Sequence, residues 1–143
     1  MLISTRGRYA LRVLVDLAEH QSDGYIPLKE VANRQEISEK YLESILKVLV
    51  KHGILIGLRG KSGGYRLSKS PDQFSVYKVL QLMEDSLSPV SCLEDNAAPC
   101  ARMSECRTLP LWQGLDQVIR EYLSQYTISD LMRVGQPGND YII

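Results

Sequence analysis

Apolar positions recur along most of the chain at the spacing of amphipathic helices. Tyr9, Ala10, Val13, Leu14, Leu17 and Ala18 fall three and four residues apart, predicting a helix over 5–20 with Ser4 or Thr5 as its N-cap. "QSDGY" interrupts that pattern. Pro27 then opens a second, short helix, "PLKEVANRQ", whose apolar face is Leu28, Val31 and Ala32. After a brief turn at Glu36 and Ile37, Ser38 is the expected N-cap of a third helix, "EKYLESILKVLVKHG". Ile37 and Leu42 stand at the two ends of a hydrophobic staple, and Tyr41, Leu42, Ile45, Leu46 and Leu49 continue the buried face up to Gly53, the expected C-cap.

From Ile54 the period changes. Two β-prone runs, 54–59 and 64–68, flank a glycine-rich turn and predict a hairpin. Another amphipathic helix is expected over 75–85 with Ser75 as its cap, followed by an irregular stretch. Apolar residues at 111, 112, 115, 118, 119, 122, 123 and 126 then predict a long helix with a wide apolar stripe, and "TISDLM" a short capped one. The chain therefore divides into 1–70, a linking helix in 71–90, a loop over 91–108, a long helix and C-terminal segment over 109–132, and a tail, 133–143, expected to be mobile.

Two short helices, the second well capped, followed by a hairpin with a glycine tip, is the order of a winged helix-turn-helix. The expected fold class is mainly α, with a two-stranded β wing. The second helix of such a pair fits the major groove of duplex DNA. Its exposed N-terminal residues, Ser38, Glu39, Lys40, Tyr41 and Glu43, would face phosphates and base edges. The hairpin tip, Arg59, Gly60, Lys61, Ser62 and Gly63, carries two cations on a backbone slim enough for the minor groove. "GKSGG" does not follow the spacing of a nucleotide-binding loop.

Charge and composition sharpen this picture. Formal net charge is zero, yet residues 1–69 hold 12 Lys/Arg against 7 Asp/Glu, and residues 70–143 hold 5 against 10. A basic front half, hidden by averaging, is compatible with the electrostatic footprint of a DNA partner, although most charge imbalance is only solvated surface. An apolar fraction of 44% argues against disorder. No apolar run approaches the ~18 residues of a membrane span. Arg12, Asp16 and Glu19 interrupt the first helix, so it does not read as a signal peptide, and a cytoplasmic protein is expected. No nucleophile–base pair or paired acids mark an enzyme. A winged-helix interaction module that never meets DNA stays open; it would show no salt-dependent affinity for a duplex.

All three cysteines fall in one polar, irregular stretch, Cys92, Cys100 and Cys106, spaced C-x7-C-x5-C. Zinc sites usually pair ligands at C-x2–4-C, because a tight turn must aim both sulfurs at one small ion. An iron–sulfur cluster tolerates wider spacing, since its ligands need not converge on one atom. Positions six apart on one straight helix differ by ~240°, so Cys100 and Cys106 could converge only across a loop or helix end. Arg102 and Arg107 nearby would favour thiolates. Metal-free thiol redox sensing remains an alternative, with no cofactor function and then zinc behind it.

"STRGRYALRVLVDLA", "ISEKYLESILKVLVKHG" and "LRGKSGGYRL" closely resemble the Rrf2 family of bacterial transcription regulators, over residues 1 to about 132. The specific signatures are Arg6–Ala10 and the wing residues Arg59, Gly60, Gly63, Gly64 and Tyr65. The resemblance implies a homodimer with crossed long C-terminal helices, both winged helices reading one palindromic operator on double-stranded DNA, usually as a repressor. The dimer interface would use Leu111, Trp112, Leu115, Val118, Ile119, Tyr122 and Leu123, a stripe broader than one small domain needs to bury. It further implies base contacts from Ser38, Lys40, Tyr41 and Glu43, with Glu43 influencing operator choice, and entry of Arg59 into the minor groove. Family members with three cysteines in this region bind an iron–sulfur cluster, which assigns Cys92, Cys100 and Cys106 as metal ligands. By that analogy 2Fe–2S is favoured, with 4Fe–4S possible. A family histidine three residues after the third cysteine is Leu109 here. The fourth ligand would come from Glu94, Asp95, Glu105, Thr108, the partner subunit or an external thiol. The implied function is a regulator sensing iron–sulfur status, with nitric-oxide or thiol-redox sensing as the alternative.

Overall fold

Among the described residues, four of the six α-helices start at a hydroxyl that caps them. The computed structural model describes residues 2–22 and 24–134. Helix α1 (Thr5–Glu19) begins at Ser4, α3 (Glu39–Lys51) at Ser38, α4 (Val76–Met83) at Ser75 and α6 (Ile128–Met132) at Thr127, and each hydroxyl accepts from a first-turn backbone N–H. Thr127 and Asp130 cap each other reciprocally. Helix α2 (Leu28–Gln35) follows Pro27, which occupies the N-cap rather than the expected first helical position. Helix α5 (Leu109–Ser124) is the longest. The tail expected over 133–143 lies outside the described residues from 135 onward.

Helices α2 and α3 end in different ways. Gly53 lies one residue past the α3 cap at φ 76°, where its N–H donates to Val50 and that of Ile54 to Leu49. That is a Schellman ending, and glycine suits its left-handed position. The α2 ending has the same pattern, Ile37 N–H to Ala32 and Glu36 N–H to Asn33, but Glu36 takes the left-handed conformation at φ 54°. The reversal between α2 and α3 therefore passes through a residue with a Cβ.

Strands β1 (Leu55–Leu58) and β2 (Gly64–Leu67) pair antiparallel, Leu55 opposite Leu67 and Leu58 opposite Gly64. Ile26 adds a bridge to Tyr65, which ties the link between α1 and α2 to the wing. A second bridge, Ser75 to Thr127, joins the start of α4 to the start of α6. The core gathers Ala10, Val13, Leu14 and Leu17 of α1 with Val31 of α2, Leu42, Ile45, Leu46 and Leu49 of α3, Val79 of α4 and Ile128 of α6. Helix α1 runs through its middle, packed chiefly against α4 and α6. The staple residues Ile37 and Leu42 are both buried. This is a mainly helical winged fold, as the patterning predicts.

Candidate nucleic-acid interface and cysteine segment

Burying Leu42, Ile45, Leu46 and Leu49 turns the opposite face of α3 outward. Ser38, Glu39, Lys40 and Glu43 are exposed there, and Ser44 and Lys47 continue the row at helical spacing. Ser38 Oγ accepts from Tyr41 N–H at 3.2 Å, so the cap fixes where the row begins. Tyr41 is half-buried rather than fully presented. Its ring meets the Tyr9 ring edge-on, with centroids 5.9 Å apart, which braces the start of α3 against α1.

The wing tip closes through Gly63 N–H to the Gly60 carbonyl, 3.0 Å. Gly63 is buried inside the turn, where an added Cβ would strike the Leu58 carbonyl oxygen. Its role is thus to shape the tip, leaving Arg59, Gly60, Lys61 and Ser62 exposed. Glu43, Lys47, Val50, Leu58, Arg59 and Tyr65 line one groove between α3 and the wing. Among the described residues none of Lys40, Lys47, Arg59 or Lys61 enters an ion pair, whereas Arg34 and Arg120 are each paired to a carboxylate. Unneutralised cations on one helix face and one hairpin tip suit a polyanion. Ser44 and Lys47 were not among the expected contact residues, although their helical spacing from Lys40 was the available signal.

Between α1 and α2 sits a buried carboxylate that the sequence did not reveal as such. Asp16 on α1 is 3% exposed and accepts two bonds from Arg34, at 3.0 Å from Nε and 2.8 Å from Nη2. Gln35 adds a third at 2.8 Å, and Arg12 donates to the Gln35 carbonyl at 2.8 Å. Burial pushes the Asp16 carboxyl up, but the hydrogen bonds from Arg34 and Gln35 outweigh it and hold the group below its usual range.

The cysteines occupy the segment between α4 and α5. Cys92 lies in a 3₁₀ turn, Ser91–Leu93, and is half-buried, while Cys100 and Cys106 are exposed; all three are free thiols. Cys106 follows a second 3₁₀ turn, Met103–Glu105, and its Sγ lies 3.5 Å from Thr108 Oγ1 at the start of α5. Hydrogen bonds from the Thr108 hydroxyl and backbone, with help from Leu109 N–H and the Arg102 charge, pull the Cys106 thiol down. Three thiols on one irregular stretch are the right donor chemistry for a cluster. Among the described residues, no three His, Cys, Asp or Glu side chains gather closely enough to hold a metal ion. The fold thus brings the cysteines to one segment but not to one point. His20 and His52 cap the C-terminal ends of α1 and α3.

Helix α5 buries none of its residues. Its stripe divides in two. Trp112, Ile119 and Leu123 are half-buried, and Leu123 packs on the cluster of Val76, Leu80 and Leu87. Leu111, Leu115, Val118 and Tyr122 face outward, exposed by 62%, 41%, 59% and 43%. Among the described residues no helix is long and apolar enough to cross a membrane.

Residues 3–134 match the family model described as "Rrf2: Iron-dependent Transcriptional regulator". The chain is 38% identical to Protein rrf2 of Nitratidesulfovibrio vulgaris over 93% of this chain and 88% of that one. It is 35% identical to the HTH-type transcriptional regulator IscR of Photobacterium profundum, over 93% and 76% of the two chains. Among solved structures, CymR, the global cysteine regulator of B. subtilis, superposes with a TM-score of 0.73 at 33% identity, covering 92% of this chain and 96% of that one. Together with the winged fold and its unpaired cations, a match over nearly the whole chain identifies it as a member of the Rrf2 family, a DNA-binding transcription regulator rather than an enzyme.

Proposed function

We propose that this regulator acts in the cytoplasm as a homodimer that binds a palindromic operator, usually as a repressor, and that an iron–sulfur cluster held by Cys92, Cys100 and Cys106 modulates its affinity. The observation that carries the dimer is the outward stripe of α5, Leu111, Leu115, Val118 and Tyr122, exposed on a helix none of whose residues is fully buried. A two-fold pairing of such helices would remove four large apolar side chains per protomer from water and set two recognition helices on one operator. Ser38, Lys40 and Glu43 would meet bases and phosphates in the major groove, and Arg59 and Lys61 the minor groove and its rim.

Three free thiols in one segment, with the Cys106 thiol drawn down by Thr108, support the cluster reading. The cluster would supply redox and nitric-oxide chemistry that the side chains lack. Its type, 2Fe–2S by family analogy, and its fourth ligand are part of the proposal. The lowered, exposed Cys106 thiol equally favours a second reading, direct thiol-redox sensing without metal.

Anaerobic purification followed by assay of iron and acid-labile sulfide separates the two. Matching iron and sulfide, lost when Cys92, Cys100 or Cys106 is changed to Ala, would support the cluster. Iron-free protein after anaerobic reconstitution would leave the thiol reading.

A further inference from the structure

We infer that Glu84 is a positioning residue that couples the cysteine segment to the DNA-binding helices; the inference rests on the regulatory reading above. Glu84 caps the C-terminal end of α4, and its side chain reaches across to the start of α1. Its Oε1 accepts from both the backbone N–H and the hydroxyl of Ser4, at 2.9 and 2.8 Å. Ser4 Oγ in turn accepts from Gly7 N–H at 3.0 Å, as the N-cap of α1. One carboxylate oxygen thus holds the residue that starts α1, and a negative charge there suits the helix dipole. Gly7 is what admits it. A Cβ at that position would strike Glu84 Oε1 and crowd Leu80 Cδ2 at 3.2 Å.

The chain leaving Glu84 leads straight to the first cysteine. Leu87 anchors it by burial against Val76 and Leu80. Ser88 N–H donates to Ser86 Oγ at 3.0 Å, and Ser88 Oγ donates to the Leu93 carbonyl at 3.0 Å, tying this stretch to the turn that carries Cys92. On the far side, α1 carries Tyr9 against Tyr41, in the first turn of the recognition helix, and Asp16 against Arg34 of α2. A displacement of the Cys92 turn therefore reaches α1 through Glu84, and α1 meets both helices of the DNA-binding pair. A coupling residue acts on the ratio of affinities between the two states, so the test reads that ratio rather than a single affinity.

The probe is a duplex recovered by selecting the full-length wild-type chain on a random-sequence pool. Its affinity is measured for protein reconstituted anaerobically with ferrous iron and sulfide and for the same protein stripped by a chelator. A wild-type ratio of about 5-fold or more falls within the usual range of coupling. Glu84→Ala is expected to bring that ratio to within about 2-fold of one. Glu84→Gln keeps an oxygen that accepts both bonds and restores the wild-type ratio. Gly7→Ala, which displaces the carboxylate without removing its charge, is expected to uncouple like Glu84→Ala and decides the matter if the latter folds poorly. A merely structural role would weaken both forms together and preserve the ratio, so a preserved ratio in Glu84→Ala or Gly7→Ala overturns this inference alone. A wild type with equal affinity in both states overturns the regulatory reading and this inference with it.

Discussion

Asp16 and Arg34 form a bidentate pair that locks α1 to α2, with the carboxylate 2% and the guanidinium 31% exposed. The helix-turn-helix is oriented on the body of the protein by this pair as well as by apolar packing. Asp16→Asn leaves a cation facing a neutral amide. The expected loss is about 2 kcal/mol, below the ~3–5 of a fully buried pair because Arg34 keeps some access to water. Urea unfolding at pH 7 measures it, with a lowered midpoint and an unchanged slope.

The same pair has a pH signature. Its folded carboxyl lies below the ordinary 3.8, so the unfolded chain takes up the proton first. The stabilisation is complete above that ordinary value and disappears as pH falls through the lower folded one. Wild type and Asp16→Asn should therefore converge in stability in strong acid, as read by thermal unfolding between pH 2 and 7.

Glu36 holds a left-handed backbone at φ 54° in the reversal between α2 and α3. Glycine removes the Cβ conflict at that position, so Glu36→Gly is expected to stabilise by about 1 kcal/mol. A raised melting temperature with unchanged DNA affinity checks it, because Glu36 lies outside the exposed row of α3.

What was legible in the sequence was local. Ser38 and Ser75 announce their helices within four residues, and "RGKSGG" announces a tight tip from its glycines alone. Contacts distant along the chain were not. Asp16 read as a polar interruption in α1 because its partner lies eighteen positions away, and Glu84 is eighty residues from Ser4. The stripe of α5 was visible, but its division into an inward half on α4 and an outward half depends on where α4 lies. Gly63 was expected as part of the DNA-facing tip; its close approach to the Leu58 carbonyl arises only once the wing folds.

On α5, Val118 is 59% exposed, so an added charge there costs the protomer little fold stability. Val118→Asp is nevertheless expected to convert the proposed dimer to monomers, because it would place like charges across its two-fold interface. Sedimentation equilibrium checks this, alongside circular dichroism to establish an unchanged fold.

Cys106 is held toward its thiolate by Thr108. Its alkylation by iodoacetamide should rise with pH at a midpoint below the ordinary 9.0. Thr108→Val removes the hydroxyl and should move that midpoint upward, read by mass spectrometry of the Cys106 peptide.

The most direct measurement is a fluorescence-anisotropy titration of the selected duplex across a range of salt, anaerobically, with iron- and sulfide-reconstituted and chelator-stripped protein. A DNA-binding regulator with a sensing cluster should lose affinity steeply as salt rises, and its affinity at fixed salt should differ by about 5-fold or more between the two states. Affinity that is flat in salt would contradict the DNA-contacting role of α3 and the wing. Affinity steep in salt but identical in both states would contradict the sensing role of Cys92, Cys100 and Cys106.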